Sequence, residues 1–412
     1  MKRTYYSLAA FLVVLGTLAI GYSLLEKKAA VEAAGVMAPR FEVDPMWPKP
    51  LPNHWIMGAV IGVAVDGSDN VWVIHRGGSL EQKEQYAAWN PPASQCCLAA
   101  PPILKFSPEG DLIGHWGGPG QGYDWPASNH GIDVDYKGNV WIGGNGRGTA
   151  PAAAALAHDE SRMGAGSVHD SFVLKFTQQG KFLMQIGKPN QGTGSNDPAN
   201  LKLPAKTIVD PKTNELYVAD GYGNRRVIVF DADSGKYKRH WGAYGNKPDD
   251  TQLGPYNPSE PLAKQFRTPV HCVVLAKDGL LYVCDRTNDR IQVFKTDGTY
   301  VKEVVIEKNT LGDGSTFDIS LSRDPEEKYL YVADGSNMKV HVLQRDTLET
   351  LATFGDGGRQ PGQFYAVHSI ATDSRGNLFT TETYRGQRVQ KFNFKGVAPV
   401  TKKDQGVVWP QK

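Results

Sequence analysis

One short passage recurs along this chain, and it limits what the chain can fold into. Residues 216–230 read LYVADGYGNRRVIVF. A run of β-formers leads into Asp-Gly-Tyr-Gly-Asn turn chemistry, and a second apolar run follows. The pattern returns as LYVCDRTNDRIQVF from Leu281, as LYVADGSNMKVHVL from Leu330 and, more weakly, as LFTTETYRGQRVQKF from Leu378. One copy is a hairpin. Several copies are a repeat protein.

Around each copy the chain follows one plan. An apolar strand ends near Asp, a Gly/Asn turn follows, and then a strand of the VWVIHRG or LYVADG kind. A loop, a strand such as VLKF or RVIVF, a Gly turn and a last strand complete the unit. Six units occupy residues 58–117, 129–187, 203–242, 268–306, 317–355 and 367 to about 397. Four-stranded units repeated about an axis predict an all-β fold, a six-bladed β-propeller over residues 58–400. The Pro-rich residues 37–57 lead into it and are a candidate to complete blade six; residues 401–412 form a tail. Helical periodicity and a dinucleotide-binding βαβ pattern are absent. Units one and two carry insertions at 78–101 and 143–170. These are too long for tight turns and are expected over one face.

The formal net charge of +2 over 412 residues, without a long basic stripe, argues against a nucleic-acid partner. Lys2 and Arg3 precede a mainly apolar run at 8–25, in the order of a secretory signal. The run is also nearly long enough to span a bilayer. Residues 1–36 are therefore read as a cleaved signal or a retained anchor, and the remainder as periplasmic or secreted, tethered in the second case. Export permits disulfides. Cys272 and Cys284 flank the turn at 277–279 almost symmetrically, which places them either face to face or as two buried thiols. Cys96 and Cys97 are neighbours, and a bond between neighbours is strained. Pairing elsewhere and free thiols are the options this leaves.

The histidines carry the chemistry. Aligned by their Asp-containing ends, the innermost strands of units two, four and six read NHGIDVD, VHCVVLA and VHSIATD, with His130, His271 and His368 at one register. Units one, three and five have Ile61, Ala205 and Phe317 there. A lone strand histidine is usually a core residue. Three at one register in alternate blades converge on the axis. Three imidazoles with an open fourth position suit zinc. His54, His75, His115, His158, His169, His240 and His341 share no register, although His75 beside Arg76 is placed to line the same face.

Arg76, Tyr222 and Arg286 follow the second strands of units one, three and four and so share one mouth. An arginine fork holds a carboxylate through two parallel hydrogen bonds. A tyrosine beside guanidinium groups is a candidate base. The competing reading for each is a turn residue paired with a nearby acid. Tyr222 is particular to its copy; the other turns hold Thr287, flank Asn337 or contain Arg385.

The repeats resemble NHL repeats. The stretches GVAVDGSDNVWVIHRG, NHGIDVDYKGNVWI, LYVADGYGNRRVIVF, VHCVVLAKDGLLYVCDRTNDRIQVF and VHSIATDSRGNLF resemble those of the peptidyl-α-hydroxyglycine α-amidating lyases, over about residues 60–392. The resemblance implies a zinc-dependent carbon–nitrogen lyase with zinc on His130, His271 and His368, Tyr222 as base, and Arg76 and Arg286 holding a carboxylate. Its substrate would be a small-molecule or peptide α-hydroxy amide, cleaved to a primary amide and glyoxylate. The resemblance also implies a structural calcium on the main-chain carbonyls of Val63 and Ile132. The family's third calcium ligand, an Asp, is Ser369 here, and a family disulfide cysteine is Gly223. No copper monooxygenase domain accompanies the propeller, which widens the expected substrates to other α-hydroxy amides, such as those of the ureidoglycolate type. Two other classes stay open: a lactonase or streptogramin-type lyase, and a non-catalytic NHL-repeat binding protein.

Overall fold

The computed structural model describes residues 35–147 and 169–410. All but the last two residues of the signal or anchor expected at 1–36, and most of the second insertion, lie outside the described residues. Among the described residues, no helix is long and apolar enough to cross a membrane.

Six four-stranded antiparallel sheets, five of them built in sequence order, form the blades of a propeller. The inner strands are Ala59–Val65, Asn129–Val134, Lys206–Val209, Val270–Leu275, Asp318–Leu321 and Val367–Thr372. The second strands are Val71–Arg76, Val140–Gly144, Glu215–Asp220, Leu280–Asp285, Tyr329–Asp334 and Leu378–Glu382. Blade six takes its outermost strand, Met37–Asp44, from the other end of the chain, where it pairs with Arg388–Pro399. That pairing closes the ring.

Apolar side chains from facing sheets fill the six spaces between neighbouring blades, including the one between blades six and one. Each fully buried large side chain contributes about 1.5–3 kcal/mol, so the seams between blades hold the ring together. Some buried indoles are tied into the turns. The indole N–H groups of Trp72 and Trp141 donate to Asp66 and Asp135, each at 3.0 Å, at the same turn of blades one and two.

The recurring passage is a braced turn. Asp220 meets Arg226 Nε at 2.8 Å and Asp285 meets Arg290 Nε at 2.7 Å, with all four side chains fully buried. Glu382 meets Arg388 at 2.6 Å and Asp334 meets His341 at 3.0 Å. The acid ends the second strand and its partner opens the third strand or lies within it. The turn between them is held over one face of the ring. Breaking such a buried pair by removing one partner costs about 3–5 kcal/mol.

Cys272 and Cys284 lie opposite each other on adjacent strands, Cα atoms 4.8 Å apart, and form a disulfide. The expectation for the other pair is corrected: Cys96 is bonded to Cys97. With Cys272 and Cys284 committed to each other, no free cysteine remains for either to reach.

Candidate metal centre

In blades two, four and six the pairing of inner and second strands slips by one residue at the histidine register, at Gly131, His271 and His368. A bulge re-aims side chains, here toward the axis. His130, His271 and His368 are buried and form a nearly equilateral triangle, with ring centroids 5.0, 5.0 and 4.8 Å apart. One ring nitrogen from each falls within 4.8 Å of the others, a set that could hold a metal ion.

The blades between them supply the orientation. His130 Nδ1–H donates to the Ala205 carbonyl at 2.8 Å, and His271 Nδ1–H donates to the Phe317 carbonyl. The Ile61 carbonyl raises the proton affinity of His368 in the same way, yet His368 Nδ1 falls short of hydrogen-bond geometry. Ile61, Ala205 and Phe317 are the residues at the histidine register in blades one, three and five. Gly131 makes one of these contacts possible. Its φ is +66°, and a Cβ there would stand 2.2 Å from the Ala205 oxygen. Burial holds all three imidazoles well below the ordinary histidine range, and nearby Arg76 or Arg286 pushes the same way. They are therefore neutral, with Nε2 lone pairs facing inward, the form that binds a metal.

Tyr222 sits over this triangle. Its hydroxyl oxygen is 3.1 Å from His130 Nε2 and 2.9 Å from His271 Nε2, and it accepts from Arg286 Nη1 at 3.2 Å. A phenol has one proton for two lone pairs, so this oxygen cannot satisfy both imidazoles at once. The donor set fits a cation at the centre.

A cavity of about 290 Å³ opens above, lined by Arg76, Tyr222, Arg286 and His368 among others. Arg76 is buried, with Nε on the Asn129 carbonyl at 2.9 Å and Nη2 on Asn145 Oδ1 at 2.8 Å. Arg286 is buried and stacks 4.6 Å over the Phe317 ring. Burial works against its charge, but Tyr222 and Asp313 raise its affinity for the proton above the ordinary arginine value.

Two wall residues escaped the sequence reading. Asp313 Oδ1 is 3.3 Å from Arg286 Nη2, and Asp313 Oδ2 accepts from the Tyr384 hydroxyl at 2.7 Å. Burial, then Asp313, pushes the Tyr384 phenol up. Tyr384 stands two residues after Glu382, as Tyr222 stands two after Asp220, so Tyr222 is not particular to its copy. Aligning the turns by the acid ending the second strand finds both.

His75 does not line the cavity. It is buried in the wall, accepting from Gly58 N–H at Nδ1 (3.2 Å) and donating from Nε2 to the Pro101 carbonyl (3.0 Å). Burial pushes it down to about 4, against the pull of the Pro101 and Ala100 carbonyls.

One residue further along the inner strands, the channel does not fit calcium. Lys206 Nζ is 2.5 Å from Asp318 Oδ1. Asp318 Oδ2 accepts from Ser369 Oγ at 2.6 Å and from Ile370 N–H at 3.1 Å. Lys206 also opposes the burial that pushes Asp133 up to about 7. The space that the three histidines share with Ile132, Lys206, Asp318 and Ser369 is about 10 Å³, and Val63 is not among its lining residues. Calcium needs six to eight oxygen ligands, and the Asp318 carboxylate here is already committed to Lys206, Ser369 and Ile370. An ammonium ion tethered to the chain already balances the carboxylate there.

No protein-family model matches the chain. It is similar to the peptidyl-glycine alpha-amidating monooxygenase of Mus musculus, 27% identical over 258 residues, covering 61% of this chain and 22% of that protein. It is 26% identical over 276 residues to peptidyl-glycine alpha-amidating monooxygenase A of Xenopus laevis, covering 64% of this chain and 24% of that one. Against NHL repeat-containing protein 3 of Mus musculus it is 28% identical over 268 residues, covering 63% and 58%. The chain thus spans about a quarter or less of the amidating monooxygenases it matches. Among solved structures, virginiamycin B lyase from Staphylococcus aureus with quinupristin aligns at 15% identity and a TM-score of 0.46, over 89% of this chain and 94% of that one. A streptogramin B lyase aligns at 14% and 0.46, over 87% and 98%.

Proposed function

We propose that this chain is an extracytoplasmic, zinc-dependent lyase that cleaves the C–N bond of an N-acyl-α-hydroxyglycine-type carbinolamide, giving a primary amide and glyoxylate. The observation that carries this reading is the convergence of three neutral imidazoles, two of them on the Tyr222 oxygen, at the floor of a cavity walled by two buried arginines. The similarity to peptidyl-glycine alpha-amidating monooxygenases supports it. The Cys272–Cys284 disulfide supports an oxidising compartment.

His130, His271 and His368 would hold zinc with one position open. Bound there, zinc would supply Lewis acidity that makes a substrate hydroxyl more acidic. The chain's own groups do the rest. Arg286 and Arg76 bind and orient the substrate carboxylate. Tyr222, ionised, accepts the hydroxyl proton, and the N–H of Arg286 on its oxygen stabilises the charge before transfer. The O–H electron pair becomes the new C=O bond, and the C–N pair leaves with the amide nitrogen. Tyr222 returns the proton to that nitrogen, so the atoms balance and the phenolate is restored.

The test is metal analysis of the purified protein together with glyoxylate release from α-hydroxyhippurate. His271→Ala is expected to lose bound metal and to lower turnover more than about 10³-fold. Tyr222→Phe is expected to keep the metal and slow turnover by about 10²–10⁴-fold, the range of a lost general base. Protein without zinc, or turnover indifferent to His271→Ala, sinks the lyase reading. Bound metal with no glyoxylate released moves the assignment to another propeller chemistry.

A further inference from the structure

We propose that Asp313 is a built-in stand-in for the substrate carboxylate: a displaceable counter-ion of Arg286, held by Tyr384, that selects ligands able to present two carboxylate oxygens. This rests on the lyase reading above and adds a specificity-determining residue to it.

The argument begins with the hydrogen bonds of Arg286. Nη1 donates to Tyr222 at 3.2 Å and Nη2 reaches Asp313 Oδ1 at 3.3 Å. Nε is buried and has no hydrogen-bond partner. An unmade bond from a buried charged group is costly. The Nε–Nη2 edge is one of the edges of a guanidinium that match the two oxygens of a carboxylate. Asp313 meets half of that edge, at a long distance, and leaves the other half open. The Asp313 side chain is 48% exposed, while that of Arg286 is 8% exposed. The acid is therefore the solvent-facing partner and the guanidinium the enclosed one. A ligand carboxylate that takes Nε and Nη2 together satisfies the orphan donor. It releases Asp313 to water and to the Tyr384 hydroxyl, which already holds its other oxygen at 2.7 Å.

The same edge of Arg76 is already occupied. Its Nε and Nη2 are on neutral acceptors fixed in the wall, the Asn129 carbonyl and Asn145. Arg286 is the arginine whose described contacts include a competing carboxylate. In the empty cavity Asp313 keeps the guanidinium beside Tyr222 balanced. An anion with a single acceptor oxygen gains too little to displace it.

The experiment uses the full, zinc-loaded protein and titration calorimetry with two non-reacting probes, hippurate and its neutral amide hippuramide. Asp313→Asn is expected to bind hippurate about 3–10-fold more tightly, since one competing charge is removed. The KM for α-hydroxyhippurate should fall by the same factor with kcat within about twofold, and hippuramide binding should not change. Asp313→Ala should behave alike, which separates the charge from any new amide contact. Weaker hippurate binding in both variants would mean that Asp313 orients Arg286 instead of competing for it. Equal tightening of hippurate and hippuramide would mean general loosening of the wall. Either result overturns the proposal, as does unchanged affinity for hippurate. If wild-type protein neither binds hippurate nor turns over α-hydroxyhippurate, the lyase reading itself falls, and this inference with it.

Discussion

Blades two, four and six and blades one, three and five use one register of the inner strand for opposite halves of the same contact. The even blades place imidazoles at the axis. The odd blades place Ile61, Ala205 and Phe317 there, and their main-chain carbonyls face the neighbouring rings. A neutral imidazole has one donor and one acceptor. Committing the Nδ1–H leaves the Nε2 lone pair for the centre. The odd blades are thus the other half of the site. The contrast continues one residue on. Blades three and five carry Lys206 and Asp318, an ion pair, where the even blades carry Gly131, Cys272 and Ser369.

The hardest way to break this arrangement is to remove the charge the odd blades share. Lys206→Met leaves the Asp318 carboxylate, 3% exposed, with hydrogen bonds but no counter-ion. Breaking such a pair costs about 3–5 kcal/mol, read as a lower unfolding free energy in denaturant. Millimolar calcium added to zinc-loaded wild-type protein should not raise stability, because the site already holds a cation, but it should restore part of the loss in Lys206→Met. Wild-type protein stabilised by calcium would refute the tethered-cation reading.

The contrast sharpens with His75, a blade-one histidine outside the register. Both of its ring nitrogens are on main-chain groups, so it has no lone pair to offer a ligand. Its folded value of about 4 lies below the ordinary 6.5, so the fold prefers the neutral ring. This contribution is complete above pH 6.5 and is lost as pH falls from 6.5 toward 4, at about 1.4 kcal/mol per pH unit, or about 3 kcal/mol in all. Unfolding curves from pH 7 to pH 4 should show that extra loss in wild-type protein and not in His75→Gln. Parallel curves would place the acid sensitivity elsewhere.

Repetition made the ring legible, and the ring made the histidine register legible, because alternate blades of a six-fold ring must converge. What stayed hidden was carried by groups that sequence does not distinguish. A carbonyl acceptor is the same atom whether it belongs to Ala205 or to Phe317. Asp313 comes from a loop between units, where no register applies. The Lys206–Asp318 pair joins residues more than a hundred positions apart, and each alone reads as an ordinary strand charge. Tyr384 was hidden only by aligning its turn on Arg385 and not on Glu382.

The gentlest test acts on the contact between an even and an odd blade without touching a ligand. Gly131→Ala would set a Cβ 2.2 Å from the Ala205 oxygen and push that carbonyl off His130 Nδ1. Outer-shell partners of a metal histidine are typically worth about 10–100-fold in metal affinity, so zinc affinity, measured by chelator competition, should fall by about that much. Gly279→Ala is the control. Gly279 also has positive φ, +85°, but nothing lies within 4 Å of a Cβ there. It should show the backbone penalty of an alanine at positive φ, about 1–2 kcal/mol in stability, with zinc affinity unchanged. If both variants bind zinc like wild type, the carbonyls of the odd blades do not set the imidazoles. If both lose affinity alike, general destabilisation explains the loss. Only a loss confined to Gly131→Ala assigns orientation of the ring nitrogens to the blades that carry no histidine.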